Sequence, residues 1–117
     1  MRSLMLAFAL SAVVVGAQQT VYEPGNGVTL PKVMKQVQPQ YTQEAMDAHI
    51  EGNVAVAIVV KDDGKVGEAA ISRSLDPTYG LDKQALAAAK QWEFKPGTRD
   101  GKPVAVRVTL EMTFTLK

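Results

Sequence analysis

The chain has no cysteine among its 117 residues and a single histidine, His49. No disulfide, no thiolate nucleophile and no lipid attached through a mature N-terminal cysteine is therefore available, and packing alone must hold the fold. One histidine and scattered carboxylates do not converge at metal-ligand spacing on any helix or strand, so no metal or other cofactor is expected. Aromatic residues are scarce, at 6%, and an excess of one charge is missing, with 13 Lys+Arg against 12 Asp+Glu. Long apolar runs are also absent. The longest, Leu4 to Val15, falls short of the about 20 residues that a membrane-spanning helix needs.

That short run has a meaning of its own. Arg2 supplies a positive start, Leu4 to Val15 an apolar stretch, and Val15-Gly16-Ala17 a small-residue cleavage site, so residues 1–17 read as a signal peptide for export to the periplasm. An uncleaved tether through residues 4–15 is the alternative. Cleavage would remove Arg2 and no acid, leaving a formal charge of zero, and nothing in that balance favours nucleic acid or an anionic membrane.

Residues 18–37 hold Pro24, Gly25-Asn26-Gly27 and Pro31 among polar residues, an extended lead segment with a turn. No strand and helix flank Gly25-Asn26-Gly27 in the manner of a phosphate loop. Residues 38–117 are expected to form one α+β domain. Thr42 caps a predicted helix over Gln43 to Ile50, ended by Gly52. Val54, Val56, Ile58 and Val60 alternate with Ala55, Ala57 and Val59, giving a central strand that is apolar on both faces. Asp62-Asp63-Gly64-Lys65 turns the chain into a second strand, Val66 to Ser74; a calcium loop would need further ligands and a terminal Glu. Leu81 to Trp92 carries apolar residues at helical spacing, with Lys95-Pro96-Gly97 ending the helix and Trp92 and Phe94 as core aromatics. From Val104 to Leu116 the large apolar residues alternate without exception with Ala105 and then with polar residues, a strand with one buried face. Extended, it would span about 43 Å, longer than the strands before it, so part of it is expected to lack an internal partner.

Several of these segments, in their order, resemble the C-terminal domain of the TonB family, envelope adapters that link an inner-membrane energy source to outer-membrane transporters. They are Gln38-Pro39-Gln40-Tyr41, Ile50-Glu51-Gly52-Asn53-Val54, Asp63-Gly64-Lys65-Val66, Ser74-Leu75-Asp76-Pro77, Gly80-Leu81-Asp82, Trp92-Glu93-Phe94-Lys95-Pro96-Gly97 and Asp100-Gly101-Lys102-Pro103-Val104. The resemblance spans about Pro31 to Leu116. It implies two helices packed on one face of a three-stranded antiparallel sheet, with the last strand at an edge that accepts an extended peptide, the TonB box, from a transporter. Its acceptor maps onto Arg107, Val108, Thr109, Leu110, Glu111, Met112, Thr113 and Phe114, with Gln38, Pro39, Gln40 and Tyr41 beside it. Strand addition draws affinity from main-chain groups, while outward side chains, here Arg107, Thr109, Glu111 and Thr113, tune selectivity.

A full transducer of that family also carries a longer membrane helix and a long Pro-rich linker. Residues 18–37 contain two prolines and reach at most about 70 Å, so coupling to a distant energy source is not expected of this chain. The partner implied is an outer-membrane TonB-dependent transporter or another envelope protein, with no nucleic acid and no small-molecule substrate. A homodimer through two last strands would use the same edge, and a core of about 80 residues would gain stability from it. Catalysis is not expected: His49 sits on a short helix, Ser74 to Pro77 read as a turn, and Asp82 suits a first helical turn. On this reading Leu110→Pro would abolish peptide binding at the risk of unfolding, and Thr109→Pro would be the cleaner test.

Overall fold

The computed structural model describes residues 20–117; the signal-peptide reading of residues 1–17 lies outside them. In chain order the elements are β1 (Val21–Tyr22), β2 (Val28–Thr29), β3 (Lys32–Lys35), α1 (Gln43–Asp47), β4 (Gly52–Val60), β5 (Val66–Arg73), α2 (Leu81–Ala89), β6 (Glu93–Lys95), β7 (Gly97–Arg99) and β8 (Lys102–Phe114).

The expected frame is present at its centre. β4 runs antiparallel between β5 and β8, and both helices lie on one side of these three strands. Val54, Val56, Ile58 and Val60 of β4 and Met112 and Phe114 of β8 turn toward Leu81, Ala85, Ala88 and Ala89 of α2 and Ala45 of α1. The small residues of α2 let its axis approach the sheet closely, and the branched residues beneath fill the gap.

A three-stranded sheet is too small a description, because the segments flanking this centre also pair. β1 lies parallel to β8, Val21 opposite Ala105 and Tyr22 opposite Val106. β2 pairs with β7 and β3 with β6, both antiparallel, and β7 with the start of β8. The segment before α1 thus joins the sheet through short strands, with a turn at Gly25 to Gly27. Periodicity does not reveal two-residue strands, whose pairing is decided by chain segments far away.

Both helices are shorter than expected. α1 starts at Thr42, whose Oγ1 accepts from the Ala45 N–H at 3.2 Å, but ends at Asp47. His49 takes a left-handed φ of 56°, which stops the helix before Gly52 can. α2 ends at Ala89 because the chain needs Glu93 to Lys95 as a strand: the Phe94 N–H donates to the Gly64 carbonyl at 2.9 Å, and β6 pairs with β3. Trp92 and Phe94 are buried and stacked, centroids 6.0 Å apart, as core aromatics.

The loop before α2 is held by two carboxylates. Gly80 at the N-cap offers no side chain, and Asp76, 3% exposed, takes over the role. Its Oδ1 accepts from the N–H groups of Thr78 and Tyr79, at 3.0 and 2.8 Å, and its Oδ2 from that of Leu81 at 3.2 Å. Asp82 reaches back from the first turn to the Ser74 hydroxyl and to the N–H groups of Leu75 and Asp76, at 3.0 and 2.9 Å. Burial pushes the Asp82 carboxyl up, but those three donors outweigh it and hold the group below its ordinary value. The cluster of Ser74, Asp76 and Asp82 is a loop clamp whose polar atoms engage one another and backbone N–H groups.

Candidate functional site

Among the described residues, two of the longer strands present open edges: the outer side of β5, and the side of β8 facing away from β4 from Arg107 to Phe114. They differ in regularity. Along β5 the register with β4 slips twice, and both times the surplus residues are in β5: Ala55 pairs with Arg73 and Val56 with Ile71, then Ile58 pairs with Ala69 and Val60 with Val66. Bulges bend and twist an edge away from further pairing. β8 instead follows β4 through nine consecutive pairs, Gly52 with Phe114 to Val60 with Val106, without a slip. The open stretch therefore results from an unoccupied side; β8 is not overlong, since its first residues pair with β7 and β1.

The register also orients the main chain. The Lys61 N–H donates to the Lys65 carbonyl at 2.8 Å, so odd-numbered residues of β4 turn their polar groups to β5 and even-numbered ones to β8. Opposite residues share a bonded pair, so Val108, Leu110 and Met112 turn theirs to β4. Arg107, Thr109, Glu111 and Thr113 turn theirs to the open side. Leu110→Pro would cut the β4 ladder opposite Val56, whereas Thr109→Pro removes an open donor.

The side chains of the same residues divide by face. Met112 and Phe114 are buried and Val108 and Leu110 half-buried among the core residues, while Arg107, Thr109, Glu111 and Thr113 stand on the helix-free face. Three of these four are already engaged within the chain. Arg107 Nη1 bonds Glu23 Oε2 at 2.8 Å, Glu111 Oε1 bonds Arg73 Nη2 at 2.7 Å, and the Thr113 hydroxyl donates to Asn53 Oδ1 at 2.8 Å. Thr109 has no side-chain hydrogen bond among the described residues.

Arg73 and Glu111 lie opposite Ala55 from either side, so their ion pair crosses over it. The small side chain makes room, and Ala55 is 1% exposed beneath the pair. The Glu111 hydrogen bond and charge raise the Arg73 guanidinium further above its ordinary value. No sequence signal marks these long-range pairs; only the register brings Arg73 to Glu111.

The lead-in to α1 runs beside the end of β8. A cavity of about 180 Å³ is lined by Gln38 and Pro39 on one wall and by Glu111, Met112 and Thr113 on the other, with Trp92 between. Trp92 fixes that wall: its indole N–H donates to the Val37 carbonyl at 2.9 Å. Gln40 faces a second, glutamine-rich cavity with Gln84 and Gln91. Tyr41 does not line the first cavity. Its ring meets Phe114 edge to face at 5.3 Å and its hydroxyl donates to the Ile50 carbonyl, so it packs and anchors. Trp92, expected from the sequence only as a core aromatic, also lines this cavity.

Among the described residues no three metal-ligating side chains converge, and no helix is long and apolar enough to cross a membrane. The arrangement is a regular strand edge with free main-chain groups, bounded at one end by β1 and flanked at the other by a small cavity.

The family model for the Gram-negative bacterial TonB protein C-terminal matches residues 37–116, and the chain belongs to this family. Protein TonB of Vibrio cholerae is 40% identical over 86 residues, which cover 73% of this chain and 34% of that protein. Protein TonB of Escherichia coli is 29% identical over 85 residues, 73% of this chain and 35% of its own length. The chain thus spans about a third of the length of these curated relatives. The solution NMR structure of the Pseudomonas aeruginosa TonB C-terminal domain superposes with a TM-score of 0.60 over 86% of this chain and 96% of that one, at 24% identity, which supports the fold.

Proposed function

We propose that this chain is a periplasmic protein-binding adapter that captures an extended, TonB box-like peptide of an outer-membrane transporter by strand addition along Arg107 to Phe114, in support of transport. The observation that carries this reading is the contrast between the edges: β5 is bulged twice, and β8 is regular with one side unoccupied. Main-chain groups of Arg107, Thr109, Glu111 and Thr113 supply the ladder, and Gln38 and Pro39 contact the peptide where it passes the cavity beside Met112.

Calorimetric titration with extended peptides from transporter plug domains tests the reading. Thr109→Pro removes one open-edge donor and leaves the β4 ladder intact, so binding should weaken by about tenfold or more while the folded amide spectrum persists. Unchanged affinity in a folded variant refutes strand addition at this edge. A stable dimer by concentration-dependent mass, indifferent to peptide, would assign the edge to self-pairing instead.

A further inference from the structure

The formal neutrality of residues 18–117 conceals an uneven distribution of charge. β3 and β6 form a ribbon in which Lys32 faces Lys95 and Lys35 faces Glu93. Lys35, Lys65 and Lys90 line a cavity of about 320 Å³ beside it, and Lys65 bridges to Glu93, the one acid on the ribbon, at 3.5 Å. The β4–β5 hairpin tip adds Lys61 with Asp62 and Asp63, making six lysines against three acids in the region.

The same segment is also where apolar side chains are left in solvent. Of the four large apolar residues that stand exposed among the described residues, Leu30, Val33 and Met34 lie here, Met34 at 71% exposure. Lysines alone would suit an acidic protein. Lysines interleaved with unpartnered Leu, Val and Met suit a bilayer surface, where cationic heads meet anionic headgroups and apolar tips enter the acyl boundary.

We infer that the solvent-exposed segment from Leu30 to Lys35, with the lysines around it, is a docking surface for anionic phospholipid. It is distinct from the open side of β8, and it holds whether or not the peptide reading does. Each lysine near such a surface adds about fivefold to binding, and the attraction is screened beyond about 8 Å at physiological salt.

The absence of cysteine allows a site-specific test. The full chain carrying Met34→Cys, labelled with an environment-sensitive nitrobenzoxadiazole, is titrated with vesicles of phosphatidylglycerol and phosphatidylcholine and with vesicles of phosphatidylcholine alone. A blue shift with the anionic vesicles only, absent for a label at Thr113→Cys, is the expected result. Combining Lys32→Gln, Lys35→Gln and Lys95→Gln should lower the apparent affinity by about a hundredfold. An equal response to neutral vesicles, an equal shift at position 113, or indifference to the three substitutions overturns the inference. So does a label that responds to poly-glutamate and not to vesicles, which would assign the face to an acidic protein.

Discussion

Gly64 is the residue through which the β4–β5 hairpin is tied to β6, and replacing it with alanine probes that joint. Its φ of 85° is left-handed, which costs an L side chain roughly 1–2 kcal/mol. A Cβ at this position would also lie 2.0 Å from the Phe94 carbonyl oxygen and 3.1 Å from its carbon, backbone atoms that cannot swing aside. Relief requires the hairpin tip to move off β6, and that breaks the bond from the Phe94 N–H to the Gly64 carbonyl, about 1 kcal/mol. The sum is about 2–3 kcal/mol, a lowering of the melting temperature by roughly 8–24 °C for a domain of this size. Gly101→Ala is the matched control, since Gly101 has a φ of 77° and nothing within 4 Å of the added Cβ; it should lose only the left-handed cost. Thermal melts followed by circular dichroism compare the two. Equal losses would show that the contact with Phe94 contributes nothing and that the hairpin is not anchored as described.

Three further outcomes follow from the loop clamp and the helix-free face. Asp76→Ala strips the caps from Thr78, Tyr79 and Leu81 and should cost about 2–4 kcal/mol in urea denaturation, with α2 fraying first by hydrogen exchange. Asp82 is held below its ordinary value, so its contribution is full above about pH 4 and is lost as pH falls through the lowered value. Asp82→Asn should be less stable at pH 7 and show a flatter acid limb; an unchanged limb would contradict the assignment. The Arg73–Glu111 pair has side chains 56% and 53% exposed, and a double-mutant cycle should give no more than about 1 kcal/mol of coupling, falling with added salt.

The parts of the fold that the sequence made legible are those governed by local period. The alternation from Val104 to Leu116, the apolar run from Val54 to Val60 and the cap at Thr42 each answer to neighbours within a few residues, and each is present, the last strand displaced by two residues to Lys102–Phe114. What escaped was set by distant chain. Val21 and Tyr22 become a strand only because Ala105 and Val106 offer them an edge, and α2 gives up its last residues because β6 must meet β3 and Gly64. The site divides in the same way. The open edge could be anticipated from the last strand, but how much of its outer side stays unoccupied depends on β7 and β1 pairing only as far as Val106. The ties of Arg107 to Glu23 and Glu111 to Arg73 join residues 84 and 38 positions apart, beyond the reach of any motif.

The most direct test of the central claim is a titration of the ¹⁵N-labelled protein with an extended transporter peptide, following every backbone amide. Strand addition to β8 predicts the largest shifts at Arg107, Thr109, Glu111 and Thr113, smaller ones at Gln38 and Trp92, and none along β5. Saturation with shifts along Val66 to Arg73, or with no shifts in either edge, would contradict it.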